Sequence, residues 1–169
     1  MYDSLSHIFL PPYSGSGSKS QAHPEVSYEA VRIIDALAQE SACHRTLVKG
    51  GVLSPLQQLA AGTMPQTRSF AARTLVSLAT TSDGRAAAAI HRHMVEAGSF
   101  EVIIGQLADS HADVAGLAAA GIEKLARTGG EPLAKVLQLG AVAALSKLAY
   151  QALDKNNARV ERAVEVRAV

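Results

Sequence analysis

SFAARTLVSLA, Ser69 to Ala79, decides how this chain of 169 residues folds. Its apolar side chains recur at spacings of three and four, which puts one stripe along an amphipathic helix. It closes on a Leu-Ala pair, Leu78-Ala79, and the same pair stands on either side at Leu37-Ala38 and Leu125-Ala126. Three glycines, Gly51, Gly98 and Gly140, fix the register between these segments. Two residues after each comes an apolar side chain (Leu53, Phe100, Val142), and five after each comes another (Leu56, Ile103, Leu145). Before each glycine stand Leu47-Val48, Met94-Val95 and Val136-Leu137. Gly51 and Gly98 each precede a Leu-Ala pair by 27 residues, and the glycines themselves are 47 and 42 residues apart. Those periods match the roughly 40–47 residue spacing of two- and three-helix solenoid repeats.

Each part of the pattern has a physical reason. A glycine after an apolar helical run caps the helix in the left-handed conformation, where a Cβ atom is penalised. One short unit cannot bury its apolar stripe alone, so it must stack on copies of itself. GVLSPLQQLA (Gly51 to Ala60), then AARTLVSLA, then MVEAG (Met94 to Gly98) resembles an armadillo repeat, a short helix followed by two longer ones that closes on a glycine. The resemblance spans residues 26–169. It implies an all-α, right-handed α-solenoid, an armadillo-like superhelix of two full repeats with partial repeats at both ends. It also implies a scaffold that binds extended peptides along the concave face of successive third helices.

Composition agrees. Hydrophobic residues make up 48% of the chain and aromatic residues only 4%, with no Trp. That favours close-packed helices over a sandwich of strands rich in β-branched and aromatic residues. Sixteen basic and fifteen acidic residues leave a net charge of +1, so no global field points to nucleic acid or an anionic membrane. No apolar run reaches the ~18 residues of a membrane span. The single Cys43 forms no internal disulfide and reads as a small hydrophobe rather than a nucleophile. The expected setting is intracellular, cytoplasmic or nuclear.

In order along the chain, residues 1–24 are expected to be a disordered segment and linker, with SGSGSKS (Ser14 to Ser20) at its centre. An alternative folds Ile8-Phe9-Leu10 back over the exposed end of the array. Residues 25–169 are expected to form the repeat domain, truncated at both ends, as a piece of a longer array or a truncated gene product. A lone third helix, Val26 to Gln39, comes first. Then follow Cys43 to Val48, Ser54 to Ala61 with Pro55 in its first turn, and the third helix Gln66 to Ala79. DGRAAAAIHRHM (Asp83 to Met94) reads as a lengthened first helix capped by Ser82 or Asp83, because alanine is the best helix former. Next come Ser99 to Asp109, Ala112 to Arg127, and a first helix opened by Pro132. The last unit is read as Val142 to Leu153, a turn at Asp154-Lys155-Asn156-Asn157, and Ala158 to Val169. Gly116 and Gly121 inside a third helix each cost about 1 kcal/mol against Ala, which a close approach of a neighbouring helix would explain.

The resemblance also names site positions. Armadillo peptide binders carry an Asn just before the Leu-Ala pair and often a Trp four residues earlier. Here the Asn slots hold Ala36, Ser77 and Lys124, and the Trp slots hold Arg32, Arg73 and Ala120. The ladder is lost, and Arg32, Arg73 and Lys124 would repel a basic peptide and favour an acidic one. The plain alternative is that these are solvated helix-face charges. His91 and His93 lie about 200° apart on a helix and cannot share an ion, and no further ligand stands beside them. His111 caps or precedes a third helix, and His44 beside Cys43 is a sequence neighbour rather than a catalytic dyad. No phosphate loop, nucleophile elbow or framed carboxylate pair is present.

The reading is therefore a protein–protein interaction module with no enzymatic role, no cofactor and no metal. Its expected partner is a protein or peptide, not nucleic acid or membrane, with self-association through uncapped ends as a further option. The alternatives are a structural fragment of a larger scaffold, or an array that accompanies a ubiquitin ligase and has no activity of its own.

Overall fold

Proline and glycine punctuate the helices where their backbone preferences require it. The computed structural model describes residues 24–167, with side chains through 154, and among these residues there are nine α-helices and no strand. Pro24 opens α1 (Pro24–Leu37), which is followed by α2 (Ser41–Lys49), α3 (Leu53–Ala60) and α4 (Pro65–Ala79). The next unit is α5 (Ala87–Glu96), α6 (Ser99–Gly105) with a 3-10 turn at Gln106–Ala108, and α7 (Ala112–Thr128). α8 (Gly130–Gln138) and α9 (Ala141–Arg167) come last among the described residues. Two complete three-helix units thus stand between a lone third helix and an incomplete unit. The expected linker, the fold-back of Ile8-Phe9-Leu10 and the last two residues lie outside the described residues.

All three cap glycines adopt the left-handed conformation, with φ of +79° at Gly51, +74° at Gly98 and +85° at Gly140. At Gly51 the amide donates to Val48 O at 3.1 Å, while the Val52 amide reaches back to Leu47 O at 3.3 Å. This pair of bonds satisfies carbonyls that a helix end would otherwise leave orphaned.

The core is continuous along the array. Leu56 of α3, Leu75 and Leu78 of α4, Phe100 and Ile103 of α6 and Leu125 of α7 are all fully buried. Each such side chain contributes about 1.5–3 kcal/mol of apolar burial. α4 is the most enclosed helix, with eight of its 15 residues buried, because α1, α3 and α7 all pack against it. Gly121 of α7 has the close neighbour its sequence position suggests: a Cβ there would overlap Val76 Cγ2 and stand 3.0 Å from Cγ1.

Two polar links hold successive units in register. His44 and His91 each stand seven residues before a cap glycine. His44 Nε2 donates to Ala38 O at 2.8 Å, and His91 Nε2 donates to Ala79 O at 3.0 Å. In both units the first helix is thereby tied to the end of the preceding third helix. The second link is Arg68, whose five N–H groups are all bonded. Nε and Nη2 grip the two Asp109 carboxylate oxygens at 2.7 and 2.9 Å, Nη1 reaches Gly62 O and Thr63 O at 3.0 Å each, and Nη2 also reaches His111 Nδ1 at 2.9 Å. Both side chains of the ion pair are 11% exposed. The Arg68 guanidinium holds the Asp109 carboxyl below its ordinary range.

Four details differ from the sequence reading. The lengthened first helix at Asp83 to Met94 is not formed: α5 has 10 residues against nine in α2. The Asp83 carboxylate accepts the amides of Arg85 (3.1 Å) and Ala86 (3.3 Å), and this side-chain turn outcompetes alanine propensity until Ala87. The turn expected at Asp154 to Asn157 is absent, and α9 runs unbroken through 167. Neither Gly nor Pro lies in that stretch, so nothing forces an established helix to stop. Ser99 to Asp109 tightens into a 3-10 turn after Gly105. Gly116 has open space around it rather than a close neighbour.

Candidate interaction surface

With α1 and α7 on its flanks, α4 keeps one free stripe: Gln66, Ser69, Phe70, Arg73 and Ser77, all exposed or half-buried. The repeat register carries the same stripe onto α1 as 25, 28–29, 32 and 36, and onto α7 as 113, 116–117, 120 and 124. Every one of those positions is exposed or half-buried. Together they form a strip running across three parallel third helices. All six positions named from the sequence lie on it. Arg32, Ala36, Arg73, Ala120 and Lys124 are exposed, and Ser77 is half-buried. His111 heads α7, but its side chain accepts from Arg68 instead of capping the helix.

The charges on the strip are less free than their residue types suggest. Arg73 is held by Asp35, a buried carboxylate of α1: its Nε lies 2.9 and 3.1 Å from the two oxygens, and its Nη2 closes the pair. Thr74 Oγ1 adds a bond to Asp35 at 3.3 Å. Arg32 pairs with Glu29 at 2.7 Å, with both side chains more than half exposed, an arrangement worth little in water. Lys124 makes no ion pair among the described residues.

The structure also brings together residues that the sequence reading passed over. The Arg73 guanidinium lies over the Phe70 ring, 5.0 Å from its centroid. Phe70 meets Tyr28 of α1 edge to face, with centroids 5.7 Å apart and planes at 71°. Tyr28, Phe70 and Arg73 therefore form one amphipathic patch across the α1–α4 seam. Its members lie at strip positions of the repeat register, so aligning the third helices residue by residue would have found the aromatic pair. Asp35 gives no such signal, because its register partner on α4 is the apolar Val76.

His91 and His93 serve different partners, Ala79 O and Glu96. Burial keeps the His91 imidazole below its ordinary pKa of 6.5, partly offset by the Ala79 carbonyl and by Glu131. No group of three or more His, Cys, Asp or Glu side chains that could hold a metal occurs among the described residues. No single helix among them is long and apolar enough to cross a membrane.

No protein-family profile matches the chain, and no curated protein matches it. Solved structures do. A designed armadillo repeat protein in complex with the peptide (KR)4 aligns at a TM-score of 0.66 and 26% identity, covering 76% of this chain and 52% of that one. Computationally designed armadillo repeat proteins for modular peptide recognition align at a TM-score of 0.65 and 26% identity, over the same shares. Another designed armadillo repeat protein matches equally, at 0.65 and 26%. The chain spans about half the length of these proteins. Capped three-helix units, a core shared between neighbours and third helices lined up across one strip are thus the armadillo-repeat fold, and this chain is an all-α solenoid of that kind.

Proposed function

We propose that the strip formed by α1, α4 and α7 binds an extended segment of a partner protein. The observation that supports this is the Tyr28–Phe70–Arg73 patch, which stands on the strip beside the small side chains Ala36, Ser77 and Ala120. An aromatic pair with a guanidinium stacked on one ring offers an apolar side chain of the ligand a flat wall to lie against, and the small residues leave room for its backbone. The designed proteins similar to this chain include one solved with a bound peptide.

A preference for acidic residues, expected from Arg32, Arg73 and Lys124, rests on Lys124. Asp35 and Glu29 already neutralise the two arginines. The partner in this reading carries an apolar residue against the Tyr28–Phe70–Arg73 patch and one carboxylate opposite Lys124. Its setting is intracellular, in keeping with a single free thiol. The role is passive, with no catalytic step.

A random peptide array tests the proposal, with binders re-measured in solution against the isotope-labelled chain. Amide shifts should cluster on α1, α4 and α7, and the paired changes Ala120→Arg and Lys124→Glu, both at exposed positions, should remove binding. Shifts that map elsewhere, or binding that survives both changes, would refute the strip as the site.

A second reading, stacking with further units or a second copy, has one observation in its favour. Val26, Ile33 and Leu37 on α1 are 57%, 58% and 45% exposed, and Tyr150 on α9 is 70% exposed. Sedimentation over a range of concentrations tests it. A mass that stays that of the monomer at every concentration would exclude the second copy.

A further inference from the structure

Besides the strip, the described residues contain a cleft of about 580 Å³ between the first helices of the two complete units. α2 supplies Arg45, Val48 and Lys49, and α5 supplies Ala89, Ile90 and Arg92, while the connection between α4 and α5 supplies Arg85. No residue of α1, α4 or α7 lines it. We propose that this cleft is a second docking site, for an acidic peptide segment that presents an aliphatic side chain flanked by carboxylates.

The charge is concentrated in a way that the whole-chain balance hides. Four of the chain's sixteen Lys and Arg side chains line one cleft. The single lining carboxylate, Asp83, is already engaged with the amides of Arg85 and Ala86. Arg92 approaches Glu96 only at 4.0 Å, and Arg45, Lys49 and Arg85 make no ion pair among the described residues. Like charges gathered at one cleft repel one another and lower the potential energy of any anion that enters. A guanidinium presents paired donors that suit a carboxylate.

The base of the cleft decides between classes of anionic partner. Val48 and Ile90, at its base, are buried, and of the ten lining residues only His93 carries a ring, with no Phe, Tyr or Trp among them. A nucleic acid strand would want rings for its bases to stack on, whereas an aliphatic base takes a Leu or Ile side chain. The longer connection in this unit explains how the cleft arises. The residues that stretch the period from 42 to 47 become the turn held by Asp83 instead of a longer helix, and that turn sets Arg85 at the rim. Ser41 Oγ and Ser82 Oγ, 2.6 Å apart, fasten it to the start of α2.

The test uses the full chain, isotope-labelled, and a fluorescent peptide with a central Leu between runs of Glu and Asp. Saturable anisotropy change, with amide shifts centred on α2, the 80–86 connection and α5, is expected. Affinity should fall as salt rises, and Arg45→Glu with Arg85→Glu should weaken binding about tenfold or more. Both residues are exposed, and unchanged circular dichroism would verify that the variant folds. No saturable binding overturns the proposal, as do shifts confined to α1, α4 and α7, or binding indifferent to the two changes. A single-stranded oligonucleotide that binds the same residues more tightly than the peptide would also overturn it in favour of nucleic acid. Failure here leaves the strip untouched, because Ala120→Arg and Lys124→Glu change residues that do not line the cleft.

Discussion

Two glycines of one helix should respond to the same substitution with opposite signs. Gly116 and Gly121 both lie inside α7, and each gives up about 1 kcal/mol of helix stability relative to alanine. At Gly116 nothing lies within 4 Å of a new Cβ, so Gly116→Ala should stabilise the chain by about that 1 kcal/mol. At Gly121 the new methyl would overlap Val76 Cγ2 and stand 3.2 Å from Val76 Cβ. Rotating Val76 does not move its Cβ, so α4 and α7 must separate, at about 1–3 kcal/mol for an overpacked contact. With propensity subtracted, Gly121→Ala should destabilise by up to about 2 kcal/mol. Val76→Ala alone should cost about 1–2 kcal/mol through lost burial and the space it leaves. On that background Gly121→Ala should turn favourable, because the added methyl fills the vacated volume. Urea and thermal unfolding followed by circular dichroism read all four variants; each 1 kcal/mol is worth about 2–4 °C in a domain of this size. If Gly121→Ala raised the midpoint as much as Gly116→Ala does, the close packing of α4 on α7 would be refuted.

The remaining predictions concern the links between units. Arg68→Met should cost about 2–3 kcal/mol, since it strips a charged, nearly buried Asp109 of its partner; a loss below about 0.5 kcal/mol, the usual size for an exposed pair, would contradict that geometry. Stability should also fall in two steps on acidification. Burial depresses the His91 pKa in the folded chain, so the unfolded chain takes up a proton more readily, and stability declines as pH drops below 6.5. Asp109, also depressed, contributes stability that is complete above its ordinary value of 3.8 and is lost as pH falls below it. Urea midpoints measured from neutral to acid pH should show the upper step vanish in His91→Gln and the lower one vanish in Asp109→Asn.

The architecture was readable because its signals are local. Cap glycines, the Leu-Ala pairs and the spacing of apolar residues each describe one helix and its end, and together they gave the register that sets α1, α4 and α7 side by side. What escaped were competitions between local preferences and contacts between distant residues. Alanine propensity did not carry α5 back beyond Ala87, because the carboxylate of Asp83 holds residues 84–86 as a turn. Asp-Lys-Asn-Asn after Leu153 looked like a turn, yet without glycine or proline it did not interrupt α9. The strip was found at the level of positions but not of chemistry. From sequence alone Arg73 looks like a free cation, because its partner Asp35 sits on another helix, at a register position that is apolar in α4. The histidine ties were legible in principle, since His44 and His91 hold the same place before a cap glycine. Their partners, the last carbonyls of the preceding third helices, appear only once the units are stacked.

The account depends on third helices lying in a row with strip positions aligned. Nitroxide labels placed by Arg32→Cys and Ala120→Cys, on a Cys43→Ser background, measure that directly by pulsed electron–electron resonance. Neighbouring helices pack about 8–10 Å apart, so two intervals predict one narrow population near ~20 Å. A broad distribution, or a mean beyond about 30 Å, three such spacings or more, would contradict the stacked row.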